Sequence, residues 1–159
     1  MTVLILSSKS LAEELIVDAN QVQLNKENKV VYAEGNVQIS DNKRNIIFTE
    51  KAEYNKLNDL VRSFGETDII TSEKFRIQGK NILYDNKKGI IYSTSETVIT
   101  DINGNQVYVN MFDYSTSKKM FFSQGDIEVF DNKTNKYSFS EIYIDEKNRK
   151  IVGSDVKSF

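Results

Sequence analysis

The side chains that most often carry catalysis are missing from this sequence. It has no histidine and no cysteine among its 159 residues, which removes the neutral-pH general base, the thiolate nucleophile and the two commonest soft metal ligands. Carboxylates remain. Asp101-Ile102-Asn103-Gly104-Asn105 has the outline of a calcium loop but lacks the bidentate Glu that such a loop needs further along, and a hairpin turn accounts for it better. The pairs Glu13/Glu14 and Asp145/Glu146 read as solvated terminal or turn charge. With no GxSxG, Walker or GxGxxG motif, an enzyme is not expected, and no metal or cofactor is implied.

What recurs instead are apolar and aromatic side chains, whose chemistry is the binding of hydrocarbon. Steps of 30 residues from Leu24 land on Tyr54, Tyr84, Tyr114 and Ile144. Parallel columns read Val22, Ala52, Ile82, Phe112, Ile142; Val31, Val61, Ile91, Phe121, Ile151; and Ile39, Ile69, Ile99, Val129, Phe159. A small-residue column runs Gly35, Gly65, Ser95, Gly125 and breaks at Asp155. Five ungapped copies of one supersecondary unit follow from this periodicity. The tyrosine column is either an aromatic track along a ligand channel or a stack of like residues filling a core. The glycine column either lets walls pack closely or leaves a ligand room.

The elements that must position these columns are strands. Each unit holds two extended segments, Leu15 to Leu24 and Val30 to Ser40 in the first, separated by turns rich in Asn, Asp, Gly and Lys, which accept positive φ and bond their own backbone. About ten strands of some ten residues are predicted. Val31, Ala33, Gly35, Val37 and Ile39 alternate with Glu34, Asn36, Gln38 and Ser40, so one face is wet. The other segments change phase midway: Val17/Ala19 give way to Val22/Leu24, Ile77/Gly79 to Ile82/Tyr84, Val107/Val109 to Phe112/Tyr114, and Tyr137/Phe139 to Ile142/Ile144. A slip of one residue is the mark of a bulge, and bulges in register crease a sheet along a line. Folding along that line sets apolar faces opposite one another. Hairpin-length turns favour an antiparallel trough over a parallel β-helix with a 30-residue coil.

The expected fold is therefore an all-β, creased antiparallel jellyroll. Its inward residues, Val22, Leu24, Val31, Val37, Ile39, Tyr54, Val61, Ile69, Ile82, Tyr84, Ile91 and Ile99, are the candidate lining of a groove for acyl chains. The first and last strands, Glu13–Leu24 and Lys150–Phe159, would be open edges that invite pairing with another sheet.

A net charge of −2 with scattered Lys and Arg gives no footprint for nucleic acid. The run Val3-Leu4-Ile5-Leu6, a polar stretch, and small residues at Ser10 and Ala12 look like the back of a secretory signal cut before Glu13. Residues 1–12 are accordingly read as a signal remnant with its true start upstream, and 13–159 as the domain.

Ile16-Val17-Asp18-Ala19-Asn20-Gln21-Val22, a turn, Val30-Val31-Tyr32-Ala33-Glu34-Gly35-Asn36-Val37-Gln38-Ile39 and then Lys51-Ala52-Glu53-Tyr54-Asn55 resemble the organic-solvent-tolerance (OstA-like) lipopolysaccharide transport family. Gly35-Asn36-Val37 is the most specific part, with weaker echoes at Gly65-Glu66-Thr67 and Gly125-Asp126-Ile127. The family includes the free-standing periplasmic transport protein A and the periplasmic front of the outer-membrane assembly protein D, and the unbroken repeat favours the second. The resemblance implies a β-jellyroll ("β-taco") in the periplasm, associated with the outer membrane, that passes lipopolysaccharide along its interior. It further implies edge-to-edge docking with other jellyroll transport proteins, a barrel domain downstream in the assembly protein, and no catalytic residue. The competing function is a self-assembling structural β-repeat without lipid cargo.

Overall fold

A computed structural model describes residues 2–6 and 15–159, and strands joined by turns account for nearly all of them. The first part of the chain supplies β1 (Thr2–Leu6), β2 (Leu15–Ala19), β3 (Gln21–Asn25), β4 (Val30–Ser40), β5 (Ile46–Asn55), β6 (Leu60–Ile70), β7 (Arg76–Lys80) and β8 (Leu83–Asp85). The second part supplies β9 (Ile90–Ser93), β10 (Thr97–Thr100), β11 (Gln106–Val109), β12 (Phe112–Ser115), β13 (Met120–Phe130), β14 (Lys136–Asp145), β15 (Lys150–Ser154) and β16 (Lys157–Ser158). All belong to one 16-stranded sheet, and the pairings are antiparallel throughout.

The expected creased trough is what forms, and the β-helix does not. The strand number differs from the predicted ten because β1 precedes the expected first strand and because the crease interrupts five others completely: β2/β3, β7/β8, β9/β10, β11/β12 and β15/β16 are each one sequence segment broken at the bend. Strands β4, β5, β6, β13 and β14 run through it and tie the two halves together. One half is paired in the order β1, β2, β4, β5, β6, β7, β10, β11, β13, β14, β16, and the other as β3, β4, β5, β6, β8, β9, β12, β13, β14, β15.

The bend is a bulge on the strands that carry the small-residue column: Thr49 and Lys51 of β5 lie opposite Thr67 and Phe64 of β6, and Glu34 to Val37 and Gln124 to Ile127 likewise span one residue more than their partners. There Gly35, Gly65 and Gly125 have φ of 81°, 78° and 108°, and Asp155 adopts 55°. At these positions the column serves backbone geometry. At Gly35 a Cβ would also lie 2.7 Å from Asn20 Nδ2, and Asn20 N–H donates to the Gly35 carbonyl across the bend (2.8 Å).

Turns at both ends of the strands repeat as strictly. In the upper set the Asp41, Asp101 and Asp131 carboxylates each accept from the backbone N–H two and four residues on, and Arg44, Lys74, Gly104 and Thr134 take positive φ. In the lower set that role falls to Lys29, Asp59, Gly89, Lys119 and Arg149. Hairpins of this kind need one left-handed residue each.

The N-terminal edge is not where the sequence put it. Strand β1 adds to β2, with Thr2 opposite Ala19 and Leu6 opposite Leu15, so Thr2–Leu6 is the edge in one half and β3 in the other. The expected cleavage position before Glu13 lies outside the described residues.

Candidate functional site

Both inner faces of the creased sheet are apolar, and they meet in a single core. Strands alternate in and out, so those between the terminal edges contribute buried rows. Of the twelve candidate groove residues, Val31, Val37, Ile39, Tyr54, Val61, Ile69, Ile82, Tyr84, Ile91 and Ile99 are buried in this core. Val22 packs against it from the edge, half-buried. Leu24 is 46% exposed: it lies opposite Val31 on β3, at the edge of the sheet among the described residues. At the other edge Ile151, on the same repeat column as Val31, is 42% exposed. The apolar row thus runs through the molecule and surfaces at both terminal edges. Between them its own side chains fill it, including Phe112, Tyr114 and Phe121, whose rings lie against one another (Tyr114–Phe121 centroids 4.3 Å apart).

The fold has a closed side, the crease, and an opposite side where the upper and lower turns meet. Along that seam no strand pairing joins the halves among the described residues; the closure is made by side chains. Tyr84 OH donates to Asp41 Oδ2 (3.0 Å) and Lys43 Nζ to Thr116 Oγ1 (3.4 Å). Further along, Thr71 Oγ1 and Tyr114 OH donate to the two oxygens of Glu146, each at 2.8 Å, and Lys119 pairs with Glu73. Phe75, from an upper turn, reaches across to Phe121 (centroids 6.2 Å). Hydrogen bonds of this type contribute on the order of 1–3 kcal/mol each, and breaking them leaves the backbone ladders intact.

Glu146 corrects the sequence reading, which took Asp145/Glu146 as solvated turn charge. Asp145 fits that description, its acidity strengthened by bonds from Asn148, but Glu146 is only 2% exposed. Burial pushes its carboxyl up to about 7; the hydrogen bonds from Tyr114 and Thr71 oppose the rise, Glu73 adds to it and Lys119 reduces it. Glu73 moves the other way, its carboxyl held down by the hydrogen bond from Lys119.

The tyrosine column is a core stack with polar tips. Each hydroxyl reaches the seam side and meets a carboxylate: Tyr54 that of Asp59, Tyr84 that of Asp41, Tyr114 that of Glu146. Burial foremost, then the adjoining carboxylate, drives the Tyr54 and Tyr114 hydroxyls well above the ordinary phenol range. Asp59 is itself buried and takes a second bond from Asn86 Nδ2 (3.0 Å).

The column Lys26, Lys56, Asn86, Thr116, Glu146, 30 residues apart, held a signal for the seam that the sequence analysis passed over. Its first two members are exposed lysines; the last three are buried polar groups. Thr116 and Glu146 each meet an upper turn, at Lys43 and Thr71, while Asn86 bonds Asp59 of the neighbouring lower turn. Nothing comparable announced Thr71 or Phe75, whose roles depend on which turns meet.

Toward the C-terminal edge the seam parts. A pocket of about 140 Å³ lies there, walled by Phe75, Ile99, Ile102, Val107, Ile144 and Ile151, with Arg149, Asp101, Asn103 and Asn105 at its rim. Among the described residues, no group of three or more His, Cys, Asp or Glu is placed to hold a metal ion, and no helix is long and apolar enough to cross a membrane.

The model of the family described as "Lipopolysaccharide-assembly, LptC-related" matches residues 3–100, more than half of the chain. Among solved structures, LptH from Pseudomonas aeruginosa, described as the LptA homologous periplasmic component of the conserved lipopolysaccharide transport device, is similar at a TM-score of 0.35 and 10% identity, covering 91% of this chain and 93% of that one. No curated protein matches the chain in sequence.

Proposed function

The chain belongs to the LptC-related lipopolysaccharide-assembly family, and from that premise we propose that it is a non-enzymatic carrier whose interior takes the acyl chains of lipopolysaccharide on their way across the periplasm to the outer membrane. The observation that carries this reading is the apolar row that threads the folded sheet and surfaces at both terminal edges, at Leu24 and Ile151. A chain of methylenes lying along that row leaves water over its whole length, at about 0.8 kcal/mol per CH₂. Because side chains fill the interior of the closed form, cargo requires the walls to part, and the seam is where that costs least.

The terminal edges supply the partners. Among the described residues, strands β1 and β3 at one end, and β15 and β16 at the other, have a neighbour on one side only, and backbone groups on such edges pair readily with a strand from another sheet. Docking there by other β-jellyroll transport proteins would join interior to interior and let cargo pass without meeting water.

A photo-crosslinking side chain at Tyr84, in the middle of the row, should trap lipopolysaccharide in cells that export it. Crosslinks obtained only from outward positions such as the exposed Gln38 would refute the interior path.

A further inference from the structure

The upper turns are not all fastened alike. Turn 41–45 is tied across the seam by Asp41 and Lys43, and turn 71–75 by Thr71 and Glu73. Turn 101–105 spends its polar groups elsewhere. Asp101 accepts from Asn103 N, Asn105 N and Asn105 Nδ2 within its own turn, while Asn105 Oδ1 and the Asn103 carbonyl take the backbone N–H and Nδ2 of Asn132 in the next turn. Among the described residues, no hydrogen bond or ion pair joins turn 101–105 to turn 145–149 opposite. The pocket of about 140 Å³ occupies that gap, and at its inner end are Ile99 and Val107, members of the core row.

Charge of both signs meets at the opening: Asp101 lies on the rim with its oxygens turned to three donors of its own turn, and Glu73 lies near Arg149 and Lys147. The facing turn presents Arg149 to the pocket, with Lys147 and Lys150 on either side, all three exposed. Apolar walls leading inward from Arg149 match an amphiphile with a hydrocarbon chain and an anionic head.

We propose that the gap between turns 101–105 and 145–149 is a lateral portal through which one acyl chain of an anionic amphiphile enters the interior, its head group held at Arg149. The proposal rests on the reading of the interior as an acyl-chain path, and names where along the seam a chain gains it and what part of the ligand is recognised outside. Carboxylate and phosphate heads share the chemistry.

The chain has no tryptophan, so single indoles report without background. Ile151→Trp, at the portal, and Leu24→Trp, at the far edge, both replace exposed side chains. Each is titrated at low salt with 12-bromododecanoate, whose bromine quenches an indole it touches, with 12-bromododecanol as the uncharged control and dodecyl phosphate as a competing second head group. The carboxylate should quench the Ile151→Trp indole, dodecyl phosphate should displace it, and Arg149→Glu should raise the half-saturation concentration about tenfold or more, equivalent to the loss of about 1.4 kcal/mol. Arg149→Gln should give a smaller shift in the same direction, and circular dichroism checks that both variants keep their strands. Quenching that is equal for the alcohol, or indifferent to both Arg149 variants, overturns the portal. Quenching at Leu24→Trp with none at Ile151→Trp also overturns it while leaving the interior path standing; no quenching at either position overturns both.

Discussion

Replacing Glu146 with Gln tests the account of the seam most directly. The carboxyl is buried, bonded by Thr71 and Tyr114, and titrates at about 7 instead of near 4.5. Between those values the folded protein holds a proton that the unfolded chain has released. Stability therefore falls as pH rises from about 4.5 to 7, and levels off above. At roughly 1.4 kcal/mol per tenfold change in proton affinity, the full fall is about 3 kcal/mol, or a melting temperature lower by something like 6–12 °C for a chain of this size. Gln keeps the shape and one acceptor and cannot ionise, so the variant should lack this fall. Other carboxylates slope the other way: Glu73, held ionised by Lys119, contributes stability above the ordinary carboxylate value that is lost on acidification. The informative quantity is therefore the difference between the wild-type and variant curves, from urea unfolding followed by circular dichroism between pH 4 and 8.5. It should move by about 3 kcal/mol in favour of the variant across that window. Parallel curves would mean that Glu146 is hydrated, and the seam would not be the dry, side-chain-closed joint described above.

Two further substitutions probe the crease and the tyrosine tips. Gly35→Ala should cost about 2 kcal/mol or more, because positive φ disfavours any Cβ and this one would press on Asn20; Gly65→Ala meets open space and should cost only about 1 kcal/mol, and equal losses in urea unfolding would contradict the close approach at Gly35. Tyr54→Phe removes a donor from the buried Asp59 and leaves it Asn86, so unfolding should register a loss of about 1–3 kcal/mol, and an unchanged midpoint would show that the carboxylate reaches water.

Much of the architecture was legible because a repeat states its rules several times. The 30-residue columns, the turn residues and the one-residue phase slip are local properties, and a slip repeated in register can only crease an antiparallel sheet. The slip also identified the inward faces, so ten of the twelve proposed groove residues are buried in the core, with Val22 half-buried and Leu24 exposed. The strand number was not legible, since the severity of a bulge decides whether one strand becomes two. The purpose of the glycine column was ambiguous until the backbone angles showed Gly35, Gly65 and Gly125 to sit in the bulges that make the crease.

What the sequence determined by itself, then, is the set of strands, their inner faces and the line along which they bend, all of which follow from spacing within one or two repeats. Which turns meet across the mouth was decided only in three dimensions, where Thr71 comes to Glu146 and Lys43 to Thr116. Glu146 shows the difference. Beside Asp145, Lys147 and Asn148 in a polar turn it has every local mark of a solvated residue. It is buried because Thr71, 75 residues earlier, and Tyr114 arrive above it, and periodicity along the chain carries no record of that meeting.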